Sequence, residues 1–179
     1  MIENVVSRRY AEALSESIAE DSRLRAVLKS METLCGAFRS EPNLTRFFAN
    51  PAIPLTNKNA LLSEMCDRVQ ADEAVRNLLR ILNQRKKILY LSNIASFFED
   101  FVDRRLNQVR VDVVSASPLT PDQAERIKAS LSGVLGKGVI VESREDASLI
   151  GGMVLSVGSL VVDATIKNRL ALLKRSIEK

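Results

Sequence analysis

The chain has 179 residues, of which 46% are apolar and 27% charged, a composition typical of a globular protein with a sizeable core. It contains no histidine, which excludes a histidine general base, a histidine-ligated metal and a histidine pH switch. The 26 basic and 22 acidic side chains leave a net charge of +4, which indicates a mixed-charge surface better than a nucleic-acid-binding arm. A catalytic function is therefore less expected for this chain than a non-catalytic one.

The cysteines and the apolar runs indicate the cellular compartment in which the protein works. Cys35 and Cys66 fall in helical patterns without CxxC spacing, which predicts buried thiols in a reducing compartment, with a disulfide between them left open. The longest uncharged run, residues 147–162, is interrupted by glycine and serine and is shorter than the roughly 20 apolar residues of a membrane helix. The N-terminus has no apolar signal segment, so the sequence predicts a cytoplasmic protein.

Composition changes along the chain. Both tyrosines and all six phenylalanines lie at or before Phe101, whereas all but one of the seven glycines lie at or after Gly133. This shift predicts a domain boundary near Leu106, with domains of residues 1–106 and 107–179.

The first domain carries the three-and-four spacing of amphipathic helices. The first predicted helix includes Ile2 and Ile18, and residues 55–117 contain neither glycine nor proline, so the later helices run uninterrupted. The further helices are predicted over residues 22–38, 43–49, 57–69, 72–84 and 88–106. We predict an N-terminal six-helix bundle.

The second domain alternates between strand and helix patterns. Apolar side chains recur at every second position over residues 109–113, and Thr120 with Gln123 forms a capping box that opens a helix over residues 121–135. Strands are predicted over 139–143, 153–157 and 160–162, the last two joined by a hairpin at Gly158 and Ser159. A final helix presents Ile166, Leu170, Leu173 and Ile177 on one face. The expected fold class is a small β-α-β-β-β-α domain.

Three local patterns each have two interpretations. Residues 133–138 contain a GxxG similar to that of RNA-binding KH modules, or they form a helix C-cap. The cluster Arg85-Lys86-Lys87 binds phosphate or an acidic partner, or it supplies cations to the end of a helix. Glu99, Asp100 and Asp103 are interpreted as a solvated stripe rather than a metal site. An RNA- or phosphate-binding adaptor that uses the 133–138 loop and the Arg85 cluster is thus the alternative function.

Longer motifs, taken together, resemble one family over essentially the whole chain. They are the segment Arg9-Tyr10-Ala11-Glu12-Ala13-Leu14, Asn50-Pro51 followed by Lys58 and Leu61-Leu62, Arg85 in a turn, Val114-Ser115-Ala116 with Pro118-Leu119-Thr120, Asp146-Ala147-Ser148-Leu149-Ile150-Gly151-Gly152, and Val162-Asp163-Ala164-Thr165 followed by Arg169-Leu170. The sequence resembles the delta subunit family of F-type ATP synthases, which includes the mitochondrial oligomycin-sensitivity-conferring protein. Gln84, Ala164 and Thr165 depart from the family pattern.

The resemblance implies a non-catalytic subunit of the peripheral stalk that needs no cofactor and no metal. The family's helical domain receives the N-terminal helix of an alpha subunit in a groove between its first and fifth helices. The residues expected to line or border that groove are Tyr10, Ala13, Leu14, Leu79 and Leu82, although core packing competes for the same side chains.

The second domain, by the same resemblance, contacts the b subunits of the stalk. The family motif on that side comprises Leu149, Ile150, Gly151, Gly152, Asp163 and Arg169. We expect Gly151 and Gly152 to serve the fold first, by letting the hairpin pack against the last helix. The resemblance also implies a peripheral protein at the cytoplasmic face of the bacterial inner membrane, associated with the membrane only through the complex and binding no nucleic acid.

Overall fold

The computed structural model describes residues 2–158 and 160–177, and the side chains of residues 4–158 and 160–171. The chain divides into two compact units between Val102 and Asp103, a little before the boundary predicted near Leu106. The difference has a physical cause, because Arg110 Nε of the second unit donates to Asp103 Oδ2 at 2.8 Å. The last turn of the connecting helix therefore belongs with the second unit. Overall the chain is mostly helical, with one small sheet.

The first unit is helical throughout its regular structure. Its helices start and stop where proline and polar residues interrupt the apolar pattern, as with Pro42 in the first turn of the third helix. Within the described residues the elements are α1 (Ile2–Ser17), α2 (Asp21–Ser40), α3 (Pro42–Ala49), α4 (Leu55–Val69), α5 (Glu73–Gln84), a 3-10 turn (Ile88–Tyr90) and α6 (Leu91–Arg105).

The core of this unit is formed by the apolar faces of these helices. α2 contacts α3, α4 and α5, and α5 also contacts α1 and α4. The largest fully buried side chains include Leu24, Met31, Leu79 and Phe98. Burial of each such side chain stabilises the fold by about 1.5–3 kcal/mol, so the shared core, rather than helix propensity, holds these helices together.

Cys35 and Cys66 lie within this core, and the prediction of buried thiols is confirmed. Both are free rather than paired with each other. Burial raises the pKa of each thiol, because the thiolate is poorly solvated there. The two side chains therefore act as small apolar groups of the core.

A buried lysine closes the end of α3. Lys58 in α4 is only 7% exposed, and its Nζ donates to the backbone carbonyls of Phe48 and Asn50, at 2.8 Å each. Phe48 lies in the last turn of α3 and Asn50 is its C-cap, and helix geometry leaves carbonyl oxygens at this end without partners. The ammonium both satisfies them and complements the negative end of the helix dipole.

The second unit combines a sheet with helices. Its elements are β1 (Gln108–Ser115), α7 (Pro121–Leu135), β2 (Gly138–Glu145), β3 (Met153–Val157), β4 (Leu160–Asp163) and α8 (Ile166–Ile177). The four strands are ordered β2-β1-β3-β4. β1 and β2 are parallel and are connected through α7, whereas β1 with β3 and β3 with β4 are antiparallel.

The two faces of this sheet differ. Val111, Val113 and Val139 are buried on one face, where Ile127 and Leu131 of α7 pack against them. The opposite face of β1 and β2 carries ion pairs between diagonal neighbours of the two strands: Arg110 Nη1 donates to Glu142 at 2.7 Å, and Arg144 lies 3.4 Å from Asp112. Because Arg110 also binds Asp103, the interpretation of Asp103 as part of a merely solvated stripe is wrong.

The ends of α7 match the predicted signals. Thr120 accepts from the N–H of Gln123 at 3.3 Å, and the side chain of Gln123 accepts from the N–H of Thr120 at 2.9 Å, so the capping box is confirmed. Gly136 ends the helix with a φ of +63°. This C-cap accounts for one glycine of the GxxG pattern. Gly158 also has a positive φ, but the hairpin turn predicted with it includes Ser159, which lies outside the described residues.

Candidate partner-binding groove

An apolar groove runs between α1 and α5, and it encloses about 490 Å³. Both of its walls have the three-and-four spacing of side chains on one helix face. The lining side chains are Tyr10, Ala13, Leu14 and Ser17 of α1, Arg23 of α2, and Glu73, Ala74, Asn77, Leu78 and Ile81 of α5.

The floor of the groove continues into the core, while its rim is accessible. Leu14 and Leu78 are buried, Tyr10 is half-buried, and Ala13 is exposed. Ile81 is 44% exposed although it is strongly apolar. The structure therefore places Tyr10, Ala13 and Leu14, three of the five residues expected at an interface, on one accessible concave surface.

Leu79 and Leu82 do not line the groove, so the expectation that these two residues lie at an interface there is corrected. They are 1% and 0% exposed and lie in the core of the unit together with Val75. Successive helical residues are rotated by about 100°, so Val75, Leu79 and Leu82 share one face, and Leu78 and Ile81 lie beside it. Leu78 and Ile81 occupy the groove positions that had been expected for Leu79 and Leu82.

A signal for Ile81 was present in the sequence. The apolar side chains that α5 buries are Val75, Leu78, Leu79 and Leu82, and Ile81 is an apolar side chain outside that face. A large apolar residue beside the core face of an amphipathic helix indicates a second contact surface.

Arg23 and Asp72 close one end of the groove. The guanidinium of Arg23 contacts both carboxylate oxygens of Asp72, with distances of 2.9 Å to each. Asp72 is also the N-cap of α5 and accepts from the N–H of Ala74 at 2.9 Å. The hydrogen bond from Ala74 and the ion pair with Arg23 lower the pKa of Asp72. The carboxylate, in turn, raises the pKa of Arg23.

A second, polar cavity of about 340 Å³ lies between α4 and α5. Arg76 and Arg80 line it, and so do Glu73 and Asn77, which line the apolar groove as well. Glu73, Asn77 and Arg80 therefore form a polar ridge along α5 between the two concavities.

In the second unit the structure brings two family motifs together. Ile166 N donates to Gly151 O at 3.0 Å, and Ala164 N donates to Met153 O at 2.9 Å. A Cβ added to Gly152, whose φ is +87°, would lie 2.5 Å from Ala164 O, whereas one added to Gly151 would meet the Ile166 side chain at 2.6 Å. The expectation that glycine serves the packing of the hairpin against the last helix therefore has a direct steric basis at Gly152, whereas at Gly151 a Cβ would meet the end of the flexible Ile166 side chain.

Asp163 belongs to the same junction. Its Oδ1 accepts from the N–H of Thr165 at 2.9 Å, and this hydrogen bond lowers the pKa of Asp163. Thr165 is buried, and its hydroxyl accepts from the N–H of Asn168 at 3.2 Å, which caps the start of α8. Thr165 therefore supplies this cap although it departs from the family pattern. Arg169 is exposed on the first turns of α8, and only its backbone joins this junction, through an N–H that donates to Thr165 O at 3.1 Å.

The same region of the second unit exposes several large apolar side chains. Leu149 is half-buried and Ile150 is 78% exposed. The others that are at least 45% exposed are Leu160, Val161 and Val162 of β4 and Ile166 and Leu170 of α8. Ile166 and Leu170 are two members of the face predicted for the last helix, while the side chains of Leu173 and Ile177 lie outside the described residues. The exposure of β4 was not predicted.

The basic cluster forms a turn at the end of α5. Lys87 N donates to Leu82 O at 2.7 Å and Lys86 N to Asn83 O at 3.0 Å, the two hydrogen bonds of a Schellman motif. Lys86 holds a φ of +56°. Lys87 Nζ lies 4.9 Å from the centre of the Tyr90 ring. These contacts support the structural interpretation of the cluster.

Among the described residues there is no group of three cysteine, aspartate or glutamate side chains placed to hold a metal ion. Within the same part of the chain, every helix is too short or too polar to cross a membrane.

Comparison with known proteins gives one consistent result. A family model described as ATP synthase delta (OSCP) subunit matches residues 6–177. ATP synthase subunit delta of Desulfosudis oleivorans is 33% identical over 175 residues, covering 98% of this chain and 96% of the relative. The same subunit of Geotalea uraniireducens is 31% identical, covering 100% and 99%. A chain in the Toxoplasma gondii mitochondrial ATP synthase hexamer has the same fold, with a TM-score of 0.69, 24% identity and 97% coverage of both chains.

Proposed function

The chain belongs to the ATP synthase delta (OSCP) subunit family, and we propose that it is a non-catalytic peripheral-stalk subunit of an F-type proton-translocating ATP synthase. In this role it links the catalytic head to the membrane sector. Rotation of the central shaft exerts torque on the head, and an unanchored head would turn with the shaft. The protein's contribution is then tight binding at two ends, which keeps proton flow coupled to ATP synthesis.

The groove between α1 and α5 is the observation that carries the proposal for the head end. Its apolar floor at Leu14 and Leu78 and its exposed rim at Ile81 suit an amphipathic helix that lays its apolar face into a groove. We assign this position to the N-terminal helix of the alpha subunit. Tyr10 combines an aromatic ring with a polar tip, and such side chains are enriched among residues that dominate binding energy.

The exposed apolar surface of β4 and α8 supports the proposal for the stalk end. Leu160, Val162 and Leu170 are each about half exposed, and β4 is an edge strand of its sheet. Several large apolar side chains exposed in one region are typical of a protein-binding site. We assign it, with the adjoining Leu149 to Gly152 segment, to the b subunits. Asp163 and Gly152 then act by holding the junction rather than by touching the partner.

The proposed location follows from the proposed partners. The protein associates with the cytoplasmic face of the bacterial inner membrane only through the complex, and it needs no cofactor of its own. The alternative, an RNA- or phosphate-binding adaptor, is weakened because Gly136 and Lys86 each have a structural explanation as a helix end.

The head-end assignment is tested by titrating a synthetic N-terminal peptide of the alpha subunit into the full chain. We expect Ile81→Ser and Tyr10→Ala each to weaken binding by about tenfold or more. Leu89→Ser is the matched control, because Leu89 is 47% exposed and lies outside the groove. Equal affinities for a folded Ile81→Ser protein and the wild type would overturn the assignment.

The stalk-end assignment is tested by capture of the b subunits from solubilised membranes on the immobilised full chain. Leu160→Ser with Val162→Ser should reduce the amount of b recovered and leave alpha recovery unchanged. Val134→Ser on α7 is the control, since Val134 is 83% exposed at a different part of the same unit. Failure to recover alpha and b, together with RNA binding that weakens steeply with salt, would favour the adaptor.

A further inference from the structure

Along each side of the groove between α1 and α5 runs a row of residues with one acidic and one basic side chain. On α5, Glu73, Asn77 and Arg80 follow one another at spacing four and three and form the polar ridge described above. Arg80 Nη2 donates to Asn77 Oδ1 at 3.1 Å, which holds the guanidinium along this ridge. The α5 side of the groove thus has an acid at one end and a base at the other.

The α1 side repeats this arrangement. Arg9, Ala13 and Glu16 follow one another at the same spacing, Ala13 lines the groove, and Arg9 and Glu16 are exposed. No carboxylate among the described residues lies within ion-pair distance of Arg9 or Arg80. No neighbouring carboxylate of the described residues therefore balances the charge of either guanidinium.

The two helices run in opposite directions along the groove. α2 begins at Asp21, soon after α1 ends at Ser17, and Arg23 in its first turn binds Asp72 at the N-cap of α5. The C-terminal end of α1 is therefore beside the N-terminal end of α5. Glu16 then lies at the same end as Glu73.

By the same antiparallel arrangement, Arg9 on α1 and Arg80 on α5 both lie toward the opposite end of the groove. Arg23 is a cation at the acidic end, but its charge is balanced by Asp72 at 2.9 Å. Glu20 and Glu73 both act electrostatically on Arg23, which places further negative charge at that end. The groove is therefore basic at one end and acidic at the other.

We propose that this polarity selects and orients the helix that binds in the groove. The inference rests on the proposed function of the groove, and it specifies the partner's chemistry. The partner carries acidic side chains at the end between Arg9 and Arg80 and basic side chains at the end between Glu16 and Glu73. Helices commonly have acidic residues in the first turn and basic residues in the last. Such a partner lies with its N-terminal end at Arg80, antiparallel to α5.

The charges determine the direction in which the partner helix lies and its rate of association more than its affinity for the groove. Exposed ion pairs change an equilibrium constant by only about two- to fivefold, and salt screens them. The apolar contacts at Ile81 and Leu78 supply most of the binding energy in either orientation. Direction and affinity are therefore separable in an experiment.

The direction is measured with the alpha-subunit N-terminal peptide carrying a nitroxide at its N-terminus, bound to the isotope-labelled full chain. We expect the label to broaden the amide resonances of Tyr10 and Ile81 more strongly than those of Ser17 and Ala74. Stronger broadening of Ser17 and Ala74, or equal broadening at both ends, would overturn the orientation.

A charge reversal supplies the second measurement. Arg80→Glu should weaken peptide binding about two- to fivefold at about 0.01 M salt, and the difference should vanish near 1 M salt. Arg46→Glu on α3 makes the same change in net charge away from the groove and is the control. Equal effects of the two variants would refute a role for Arg80. If the peptide binds through Ile81 but in the reverse direction, only the polarity inference fails; if Ile81→Ser has no effect, the groove assignment itself fails.

Discussion

The side chain of Arg23 reaches Asp72 across 49 positions of sequence, with its Nη2 at 2.9 Å from each carboxylate oxygen and its Nε at 3.2 Å from one of them. This pair joins the first turn of α2 to the N-cap of α5. Asp72 therefore has two roles, because it caps a helix that forms one wall of the groove and also binds the helix that follows the other wall.

Asp72→Ala removes both roles of that carboxylate. We expect the free energy of unfolding to fall by about 1–2 kcal/mol at neutral pH, chiefly through the lost N-cap. Arg23→Ala should cause a smaller loss, since the Asp72 cap remains. Chemical denaturation followed by circular dichroism measures both values.

The loss caused by Asp72→Ala should depend on pH. Because the folded-state pKa of Asp72 is lowered, the carboxylate contributes its full stability above the ordinary pKa of about 3.9. That contribution is lost as the pH falls through the folded-state pKa. The gap between the wild type and Asp72→Ala should therefore shrink in acid, and a gap that widened there would contradict this account.

Gly152→Ala tests whether glycine is required where the hairpin meets α8. The φ of +87° and the proximity of Ala164 O both oppose a Cβ, so we expect a loss of at least about 2 kcal/mol in the free energy of unfolding. Gly36→Ala is the matched control, since a Cβ there meets nothing within 4 Å and lies inside α2. It should stabilise the protein by about 1 kcal/mol. Similar effects of the two substitutions would remove the steric argument.

Lys58→Met replaces the lysine with an apolar side chain of similar length and so removes the ammonium. The carbonyls of Phe48 and Asn50 then lose their donor, and we expect the free energy of unfolding to fall by about 2–4 kcal/mol. Lys29→Met, on the exposed face of α2, should change it by less than about 0.5 kcal/mol. Thermal denaturation of both variants and of the wild type measures these changes in stability.

Lys86→Gly should stabilise the end of α5. Lys86 holds a φ of +56°, which glycine adopts without the steric cost borne by other residues, so we expect a gain of about 1 kcal/mol in the free energy of unfolding. Arg85 has an ordinary φ of −83°, and Arg85→Gly should instead destabilise the protein. Destabilisation by Lys86→Gly would show that the lysine side chain matters more than the backbone strain.

Much of the local structure could be predicted from short stretches of sequence. The capping box of Thr120 and Gln123, the helix starting at Pro121 and the alternating strand around Val111 each depend on neighbouring residues. The chemical signals for such elements lie within a few positions of one another, so a single sequence is sufficient.

The candidate site was only partly predictable. The structure places Tyr10, Ala13 and Leu14, which belong to a family motif, on the groove between α1 and α5, and their contact with a partner stays a prediction. Leu79 and Leu82 were misplaced, since the apolar face of α5 is broad enough that its pattern does not say which edge meets α1. Only the packing of α1 against α5 decides that Leu78 and Ile81 face the groove.

Local patterns and motifs in the sequence were sufficient to predict the types of element, their approximate bounds and the family. The tertiary structure decided the contacts between residues far apart in the chain, such as Lys58 with Phe48, Arg110 with Asp103 and Gly152 with Ala164. The physical reason is the range of the forces involved. Helix and strand signals act through local backbone hydrogen bonds and side-chain periodicity, whereas burial, ion pairing and steric exclusion depend on which surfaces the folded chain brings together.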